Sequence, residues 1–280
     1  MKAANALVVI IGSGLLLSAC ATVEPPPAPE PVVDVPVVIE PIIQPPPPMP
    51  ENYTGEVRNG LKDGLGVYSF PSGSKYEGQF FNDVKHGQGK LSFVNGHTYE
   101  GEFTNGKITG HGTLKYRNGD VYVGEFVDSQ KAGQGEYRFA TGEKYVGDYV
   151  KDKISGKGVW LYRNGDRYEG EFNNGIRHGV GIYYFANGSK YEGSFVDNYF
   201  HGEGSYTFAD GREYAGEFFQ DQIKGRGILI YPNGDKYSGG FLNGRYHGHG
   251  TLSFATDRVP LEGLWNDGRF VRFEKPTWHY

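Results

Sequence analysis

The stretch Tyr122-Val123-Gly124-Glu125-Phe126, followed by Gly133-Gln134-Gly135, decides the fold because the chain repeats it with a period of 23 residues. We number each residue of a repeat by its distance from the tyrosine, which is position 0. Position 4 is apolar or aromatic in all nine copies, and glycine occupies positions 2, 11 and 13. The nine tyrosines are Tyr53, Tyr76, Tyr99, Tyr122, Tyr145, Tyr168, Tyr191, Tyr214 and Tyr237.

The spacing of the large residues predicts two short strands in each repeat. Positions 0, 2 and 4 alternate along the chain, as do positions 11, 13, 15 and 17, and residues two apart lie on the same face of a strand. No stretch of the sequence has the period of an amphipathic helix. We therefore expect an all-β fold, an elongated, single antiparallel β-meander of tandem 23-residue β-hairpins, curled and twisted.

Two sets of turn residues separate the predicted strands. We expect tight hairpins with positive φ at Asn95-Gly96, Asn118-Gly119, Asn164-Gly165, Asn187-Gly188, Asp210-Gly211 and Asn233-Gly234. The other bend is marked by Asn59-Gly60, Asn105-Gly106, Asn174-Gly175 and Asn243-Gly244.

The repeated glycines and rings predict an aromatic face on the sheet. Glycine inside a strand costs roughly 0.5–1 kcal/mol relative to alanine, so a compensating contact is expected, namely a ring lying flat on the bare backbone. Two interpretations of this face stay open, structural packing or a ligand trough. The trough residues would be Tyr99, Phe103, Tyr122, Phe126, Tyr145, Tyr149, Tyr168 and Phe172.

The opposite face is expected to be solvated and of mixed charge. Position 3 is acidic in most repeats, and the residue before Tyr is often basic. Such residues favour cross-strand ion pairs on a surface. The acidic residues are Glu56, Glu102, Glu125, Asp148, Glu171 and Glu217.

The pattern Tyr-x-Gly-x-Phe-x-Asn-Gly, then His-Gly-x-Gly, then Asn-Gly before the next Tyr, resembles MORN (membrane occupation and recognition nexus) repeats. The resemblance covers nine repeats over 53–259 and implies an elongated, curled β-sheet. His is replaced in His-Gly-x-Gly by Thr109, Ala132, Ser155 and Lys224. Residues 260–280 are predicted to form a degenerate tenth repeat and an aromatic cap that contains Trp265, Phe270, Phe273, Trp278 and Tyr280.

The N-terminus predicts a secretory signal. Lys2 precedes an apolar run that is too short to span a membrane, although a retained N-terminal anchor is the alternative. Leu17-Ser18-Ala19-Cys20 resembles the lipobox of bacterial lipoproteins. That resemblance implies removal of residues 1–19, acyl chains such as palmitate on Cys20, and, since Ala21 follows, anchorage in the outer membrane.

Residues 20–52 are predicted to be a disordered, Pro-rich linker. Between Glu24 and Pro50 the chain holds 12 of its 16 prolines, which exclude helix and central strand. At roughly 3.1 Å per residue, an extended spacer of this kind would reach about 90 Å. A passive tether is one interpretation, and a motif for a proline-binding partner is the other.

Composition and motifs disfavour catalysis, metal and nucleic acid. The formal net charge is −5, which disfavours phosphate-rich ligands. The Gly-x-Gly pairs lack the third glycine and the following helix of a dinucleotide site. His86, His178, His201 and His247 share position 10, but successive hairpins place such residues about 10 Å apart, too far for one zinc ion. We expect no cofactor and no enzymatic activity.

The function predicted from the sequence is a membrane-anchored lipoprotein that acts as a non-catalytic scaffold for an unidentified protein partner. The alternative is a module that binds lipid headgroups or cell-wall glycan, because aromatic troughs suit sugar rings. Anchorage through Cys20 would place the array on the periplasmic side of the outer membrane or on the cell surface. Exposed end strands also allow self-association.

Overall fold

The computed structural model describes residues 6–9, 18–21 and 52–273 of the chain. Strands β1 (Ala6–Val9) and β2 (Ser18–Ala21) pair antiparallel, with Leu7 opposite Cys20. Among residues 6–9, 18–21 and 52–273, no helix is long and apolar enough to cross a membrane.

Residues 52–273 form twenty further strands, and the structure divides into two compact units. The first unit comprises residues 52–164 and 172–175, and the second comprises 6–9, 18–21, 165–171 and 176–273. The strands up to Leu161 are β3 (Tyr53–Arg58), β4 (Leu61–Ser69), β5 (Lys75–Phe81), β6 (Val84–Ser92), β7 (Thr98–Thr104), β8 (Lys107–Lys115), β9 (Val121–Val127), β10 (Gln130–Arg138), β11 (Lys144–Val150) and β12 (Lys153–Leu161). They are followed by β13 (Arg167–Asn173), β14 (Ile176–Tyr184), β15 (Lys190–Val196), β16 (Tyr199–Thr207), β17 (Glu213–Phe219), β18 (Gln222–Ile230), β19 (Lys236–Leu242), β20 (Arg245–Ser253), β21 (Leu261–Asn266) and β22 (Arg269–Phe273).

Each unit is an antiparallel meander in which a strand pairs with its neighbours in the sequence. Position 0 lies opposite position 15, as Tyr76 does to Leu91, and the glycines of positions 2 and 13 lie opposite each other, as Gly78 and Gly89 do. The same register recurs in the second unit, where Tyr214 faces Leu229. The predicted all-β meander of hairpin repeats is therefore confirmed.

The prediction of which turn is the tight hairpin is wrong. The turns at Asn59-Gly60 and its equivalents are the tight ones, and those at Asn95-Gly96 and its equivalents are wider. The two-residue hairpin lies at positions 6 and 7, where both residues have positive φ, as in Asn105 (50°) and Gly106 (81°). Even Lys151 (49°) adopts this conformation. The turn around Asn95-Gly96 is wider, and there only the glycine has positive φ. A backbone hydrogen bond from the Phe93 N–H to His97 O closes this turn.

A bulge interrupts the ladder of hairpin after hairpin in both units. In β7 and β8, Gly101 pairs with Gly112 and Phe103 with Ile108, while Glu102 alone faces the three residues between them. The extra residues bend the strand and bring position 9 directly opposite position 4, as Ile108 lies opposite Phe103. The sequence pattern does not show this bulge, because the glycine spacing continues through it.

The predicted tenth repeat contains a hairpin, β21 and β22. Trp265 is buried and packs edge-on against Tyr237, with 5.4 Å between ring centroids. Phe270 in turn contacts Trp265 at 5.1 Å. Trp278 and Tyr280 lie outside the described residues, and the predicted domain borders stay predictions.

Candidate functional site

The aromatic face is built on tyrosines that cover glycines. The Tyr145 ring lies over Gly158 on the next strand, where a Cβ would stand 2.6 Å from the Tyr145 Cζ atom. The same cover recurs at Tyr168 over Gly181, with a corresponding distance of 2.7 Å. Position 13 therefore admits no side chain. From Tyr76 to Tyr237 these tyrosines are at most 1% exposed.

Each of these phenol groups is fixed by the strand that carries it. The Tyr122 hydroxyl donates to the Glu125 carbonyl oxygen at 3.0 Å, and Tyr191 donates to Ser194 O at 2.8 Å. Burial raises the pKa of both phenols well above the usual value. A neutral, hydrogen-bonded phenol three residues from its acceptor makes a rigid structural group rather than an acid or base.

The ring at position 4 joins neighbouring repeats. Phe103 contacts Tyr99 of its own repeat at 5.3 Å and Tyr76 of the preceding repeat at 5.0 Å, both edge-to-face. In the second unit, Phe218 contacts Tyr214 and Tyr191 in the same way, at 5.2 and 5.0 Å. Such pairs contribute about 0.5–1.5 kcal/mol beyond their buried area. They form a continuous row of rings within each unit.

The eight residues of the suggested trough all belong to these rows, Tyr168 to the row of the second unit and the other seven to that of the first. Each is between 0% and 5% exposed, so the rings are covered by one another and by the strands: Tyr99, Phe103, Tyr122, Phe126, Tyr145, Tyr149, Tyr168 and Phe172. Packing therefore accounts for their surfaces as they stand. Ligand binding at these residues stays a prediction.

Position 9 completes the aromatic face, a role that the repeat pattern alone did not predict. Phe200 stacks on Tyr191 with 3.8 Å between ring centroids, and Tyr246 stacks on Tyr237 at 3.6 Å. In other repeats a buried cation takes the same place, as Lys85 does 5.8 Å from the Tyr76 ring. The position is occupied by Lys62, Lys85, Ile108, Lys131, Ile154, Arg177, Phe200, Ile223 and Tyr246. The absence of small and acidic residues from it was the available signal.

Lys85 is enclosed by rings. Its Nζ atom lies 5.4 Å from the Phe70 ring centroid and 5.5 Å from that of Phe103. Burial lowers the pKa of this ammonium group to about 8. Lys62 has a different environment, because its Nζ lies 3.2 Å from Asp83 Oδ1.

Two further buried charged side chains, Arg177 and Asp221, lie in the second unit. The Arg177 guanidinium donates from one terminal nitrogen to Asn198 O at 2.8 Å and lies over the Tyr183 ring. Asp221 accepts the Phe200 N–H at 2.8 Å. Burial raises the pKa of Asp221 to about 6, partly offset by the Phe200 hydrogen bond and by the positive charge of Arg177.

Successive turns are joined by a ladder of hydrogen bonds. At position 7 the backbone N–H donates to the position 9 carbonyl of the preceding repeat, as Asp152 does to Lys131. The Asp152 carboxylate accepts the Lys131 N–H in return, at 2.9 Å. At the wide turns, Asp120 Oδ1 accepts the Ala140 N–H at 2.8 Å. Turn side chains thus tie each repeat to the next.

The acidic residues of position 3 have a different role from the one expected. Glu102 Oε1 accepts the His111 N–H at 3.1 Å, and Glu217 Oε1 accepts the Arg226 N–H at 2.8 Å. These carboxylates close the bulge of their own hairpin instead of serving mainly in cross-strand ion pairs. The bulge leaves the backbone N–H of position 12 without a backbone acceptor, and this need explains why an acidic side chain recurs at position 3.

Position 5 carries apolar residues on the outer face of each unit, and we call these residues the outer row. Six side chains of this row are exposed, by 56% in Phe81, 57% in Val127, 56% in Val150, 38% in Val196, 46% in Phe219 and 38% in Leu242. The face predicted to be polar thus carries regularly spaced apolar groups. Thr104 and Asn173 occupy the same position in two other repeats.

The remaining candidate residues hold no metal centre. Among the described residues, no group of three or more His, Cys, Asp or Glu is arranged to hold a metal ion. The His201 ring instead lies 5.1 Å from the ring of Phe219. Cys20 belongs to β2, and its predicted lipidation stays a prediction.

A family model described as "MORN repeat" matches this chain at residues 53–75, 76–98, 99–121, 122–144, 145–167, 168–190, 191–211, 214–236 and 237–257. The chain belongs to the MORN repeat family. The nine matches begin at or beside the predicted tyrosines, so the MORN assignment made from the sequence is confirmed. No curated protein sequence matches the chain.

Several solved structures are similar to this MORN protein. The wild-type TCP10 domain of Danio rerio CPAP in complex with a Danio rerio STIL peptide is 12% identical, with a TM-score of 0.43, over 74% of this chain and 94% of that chain. The SAS-4 TCP domain of Drosophila melanogaster, in complex with a proline-rich motif of Ana2, is 18% identical, with a TM-score of 0.35, over 61% and 86% of the two chains. At these values the likeness does not establish what this chain binds.

Proposed function

We propose that this MORN protein is a non-catalytic scaffold that binds protein partners through its outer row. The observation that carries the proposal is the exposure of apolar side chains at one repeated position, from Phe81 to Val150 in the first unit and from Val196 to Leu242 in the second. Exposed apolar groups rimmed by polar residues are typical of protein interaction sites.

The surroundings of Phe219 support a protein ligand. Lys224 Nζ lies 5.0 Å from the Phe219 ring centroid, and the centroid of the His201 ring lies 5.1 Å from it. Val196 pairs across the hairpin with Tyr199, which is itself 43% exposed. An aromatic centre with a lysine and a histidine beside it provides both the apolar contact and the polar rim of a protein interface.

The buried state of the aromatic face also favours the outer row. A partner on the aromatic face would have to displace rings that contact both neighbouring repeats. A partner on the outer row meets side chains that already face solvent. The non-enzymatic character of the array is part of this proposal, since its titratable groups serve backbone hydrogen bonds or ring contacts at repeated positions.

We further propose that the array is held to a bacterial membrane by acyl chains on Cys20, with residues 20–52 as the spacer. The support is the Leu17-Ser18-Ala19-Cys20 sequence alone. Two or more acyl chains anchor durably, because each buried methylene contributes about 0.8 kcal/mol. Attachment to the outer membrane, on the periplasmic side or at the cell surface, is the expected location.

Capture of partners from the cell envelope tests the outer row. The tagged wild type would be compared with Val196→Lys and Phe219→Lys, and with Asn173→Lys as the matched control, because Asn173 is already polar at the same repeat position. Quantitative mass spectrometry should find partners that the first two variants lose and the control retains. An identical set of captured proteins for all four chains would refute the use of the outer row.

The alternative ligands are tested in parallel. The chain without acyl groups would be mixed with liposomes and with isolated cell wall, and sedimentation would be measured. Retention only by liposomes or only by cell wall, with no captured protein, would replace the scaffold with a lipid-binding or glycan-binding module.

A further inference from the structure

Four of the two-residue turns carry the sequence Asn-Gly, which can modify itself. The amide nitrogen of the glycine attacks the asparagine Cγ, ammonia leaves, and a cyclic succinimide forms. Water then opens the ring to aspartate or isoaspartate, so the net reaction consumes one water and releases one ammonia. The four turns are Asn59-Gly60, Asn105-Gly106, Asn174-Gly175 and Asn243-Gly244.

In three of these turns the attacking nitrogen is engaged. The Gly106 N–H donates to Lys85 O at 2.9 Å, Gly175 to Ile154 O at 2.8 Å, and Gly244 to Ile223 O at 2.9 Å. Each acceptor belongs to the preceding repeat. The turn must therefore separate from its neighbour before the nitrogen can turn toward the side chain.

Gly60 differs because it lies in the first repeat. No carbonyl of a preceding repeat exists within residues 52–273 to accept its N–H, and no hydrogen bond from it is found among them. Gly60 and Asn59 are both exposed, whereas Gly106 is buried. A Cβ would meet nothing within 4 Å at Gly60 or at Gly175, so the hydrogen bond of the glycine N–H, and not open space, distinguishes these two turns.

In four wide turns, those of Asn95, Asn118, Asn187 and Asn233, the Asn-Gly sequence makes two hydrogen bonds. Gly96 N–H donates to Phe93 O at 3.0 Å, while Asn95 Oδ1 accepts the His97 N–H at 3.1 Å. The same two bonds hold Asn118 and Gly119. Both the attacking nitrogen and the attacked side chain are held in place there.

We propose that Asn59 is the preferred site of spontaneous deamidation in this protein. The product places a new carboxylate beside Arg58, whose guanidinium already lies 3.5 Å from Asp63. The isoaspartate form also adds a methylene to the backbone of the turn. Because that turn fixes the register of β3 against β4, deamidation loosens the first hairpin of the array.

Peptide mapping by mass spectrometry tests this site in the full-length protein. After incubation at mildly alkaline pH, Asn59 should convert faster than Asn105, Asn174 and Asn243, by about tenfold if one net hydrogen bond of roughly 1.4 kcal/mol must open. Incubation in concentrated urea provides the normalisation, because all four sites share the Asn-Gly dipeptide and the rate of each site in the unfolded chain corrects for its different flanking residues.

The variant Asp83→Gly provides a matched control within the array. The substitution makes residues 82 and 83 an Asn-Gly dipeptide. In this turn the backbone N–H of residue 83 donates to Lys62 O at 2.9 Å. This new site should react as slowly as Asn105. The proposal is overturned if the folded protein converts Asn59 no faster than Asn105, or if Asn82 in the variant reacts as fast as Asn59.

Discussion

The phenol ring of Tyr76 lies on the backbone of Gly89 in the neighbouring strand, and a Cβ at Gly89 would stand 2.6 Å from the Tyr76 Cζ atom. A Cβ at Gly78, directly opposite Gly89, would meet the Gly89 Cα and stand 2.7 Å from the Tyr76 hydroxyl oxygen. One tyrosine therefore requires two glycines on two strands. This contact, repeated in each unit, explains why the spacing of Tyr and Gly does not vary.

Gly89→Ala should destabilise the fold strongly. The added methyl overlaps the Tyr76 ring, and overpacking of a core costs about 1–3 kcal/mol. Urea denaturation followed by fluorescence measures the loss. Gly142→Ala is the control, because Gly142 has a φ of 100° but nothing within 4 Å of an added Cβ. It should show only the backbone cost, about 1 kcal/mol. Equal losses would contradict the ring contact.

Lys85→Ile should stabilise the protein at neutral pH, by about 1–3 kcal/mol. Isoleucine already occupies the same position at Ile108 and Ile154. Burial lowers the pKa of Lys85 from 10.5 to about 8, so the folded chain releases this proton before the unfolded chain does. Wild-type stability should therefore rise relative to the variant between about pH 8 and 10.5.

Denaturation curves across that pH range measure the difference. Lys62→Ile is the comparison, because it removes the partner that lies 3.2 Å from Asp83 and should bring no gain. A constant offset between wild type and Lys85→Ile from pH 7 to 10 would show that the buried ammonium group is not the cause.

Asp221→Asn should also stabilise the protein at pH 7, by about 1–3 kcal/mol. Asn198 shows that asparagine fits this position and accepts the same kind of backbone N–H. Burial raises the pKa of Asp221 from 3.8 to about 6. Folding is therefore penalised progressively as the pH rises from about 4 to 6, and the variant should gain its advantage over that range.

Thermal melts at pH 4 and pH 7 provide the measurement. Asp152→Asn, at the same repeat position in a half-buried turn, serves as the control and should change stability little. An advantage of Asp221→Asn that is already complete at pH 4 would exclude ionisation of Asp221 as its source.

Cys20→Ala should release the protein from the membrane fraction. The substitution removes the sulfur on which the proposed acyl chains are carried, and the remaining apolar run is too short to span a bilayer. Fractionation of cells and immunoblotting measure the distribution, with Ser18→Thr as a control that keeps the cysteine. A variant that stays with the membrane would disprove lipid anchorage through this residue.

Most of the array could be predicted from its repeated residues. Tyr76, Gly78, Phe80 and Gly89 define strand, register and face at once, because each is required by a contact with another member of the set. Because nine copies show the same spacing of Tyr and Gly, a chance pattern in one copy does not mislead the prediction. The face that carries the rings was therefore correctly predicted.

The side chains whose roles were missed depend on contacts between repeats. Lys85 has the appearance of a surface residue until the bulge places it among the rings of Phe70 and Phe103. Asp152 looks solvated until its turn stacks on Lys131 of the preceding repeat. Glu102 faces outward as expected, but its acceptor role follows from the bulge, which the glycine pattern does not reveal.

The ladder between turns also bears on how such an array changes its length. Each rung joins residues separated by nearly one period, as Asp152 and Lys131 are. Recombination between neighbouring coding segments that removes or duplicates a whole period leaves every rung with a partner of the right kind. An insertion of any other length breaks a rung and shifts the glycines away from their tyrosines. Evolution can therefore alter the number of outer-row side chains in whole steps, without redesigning the sheet.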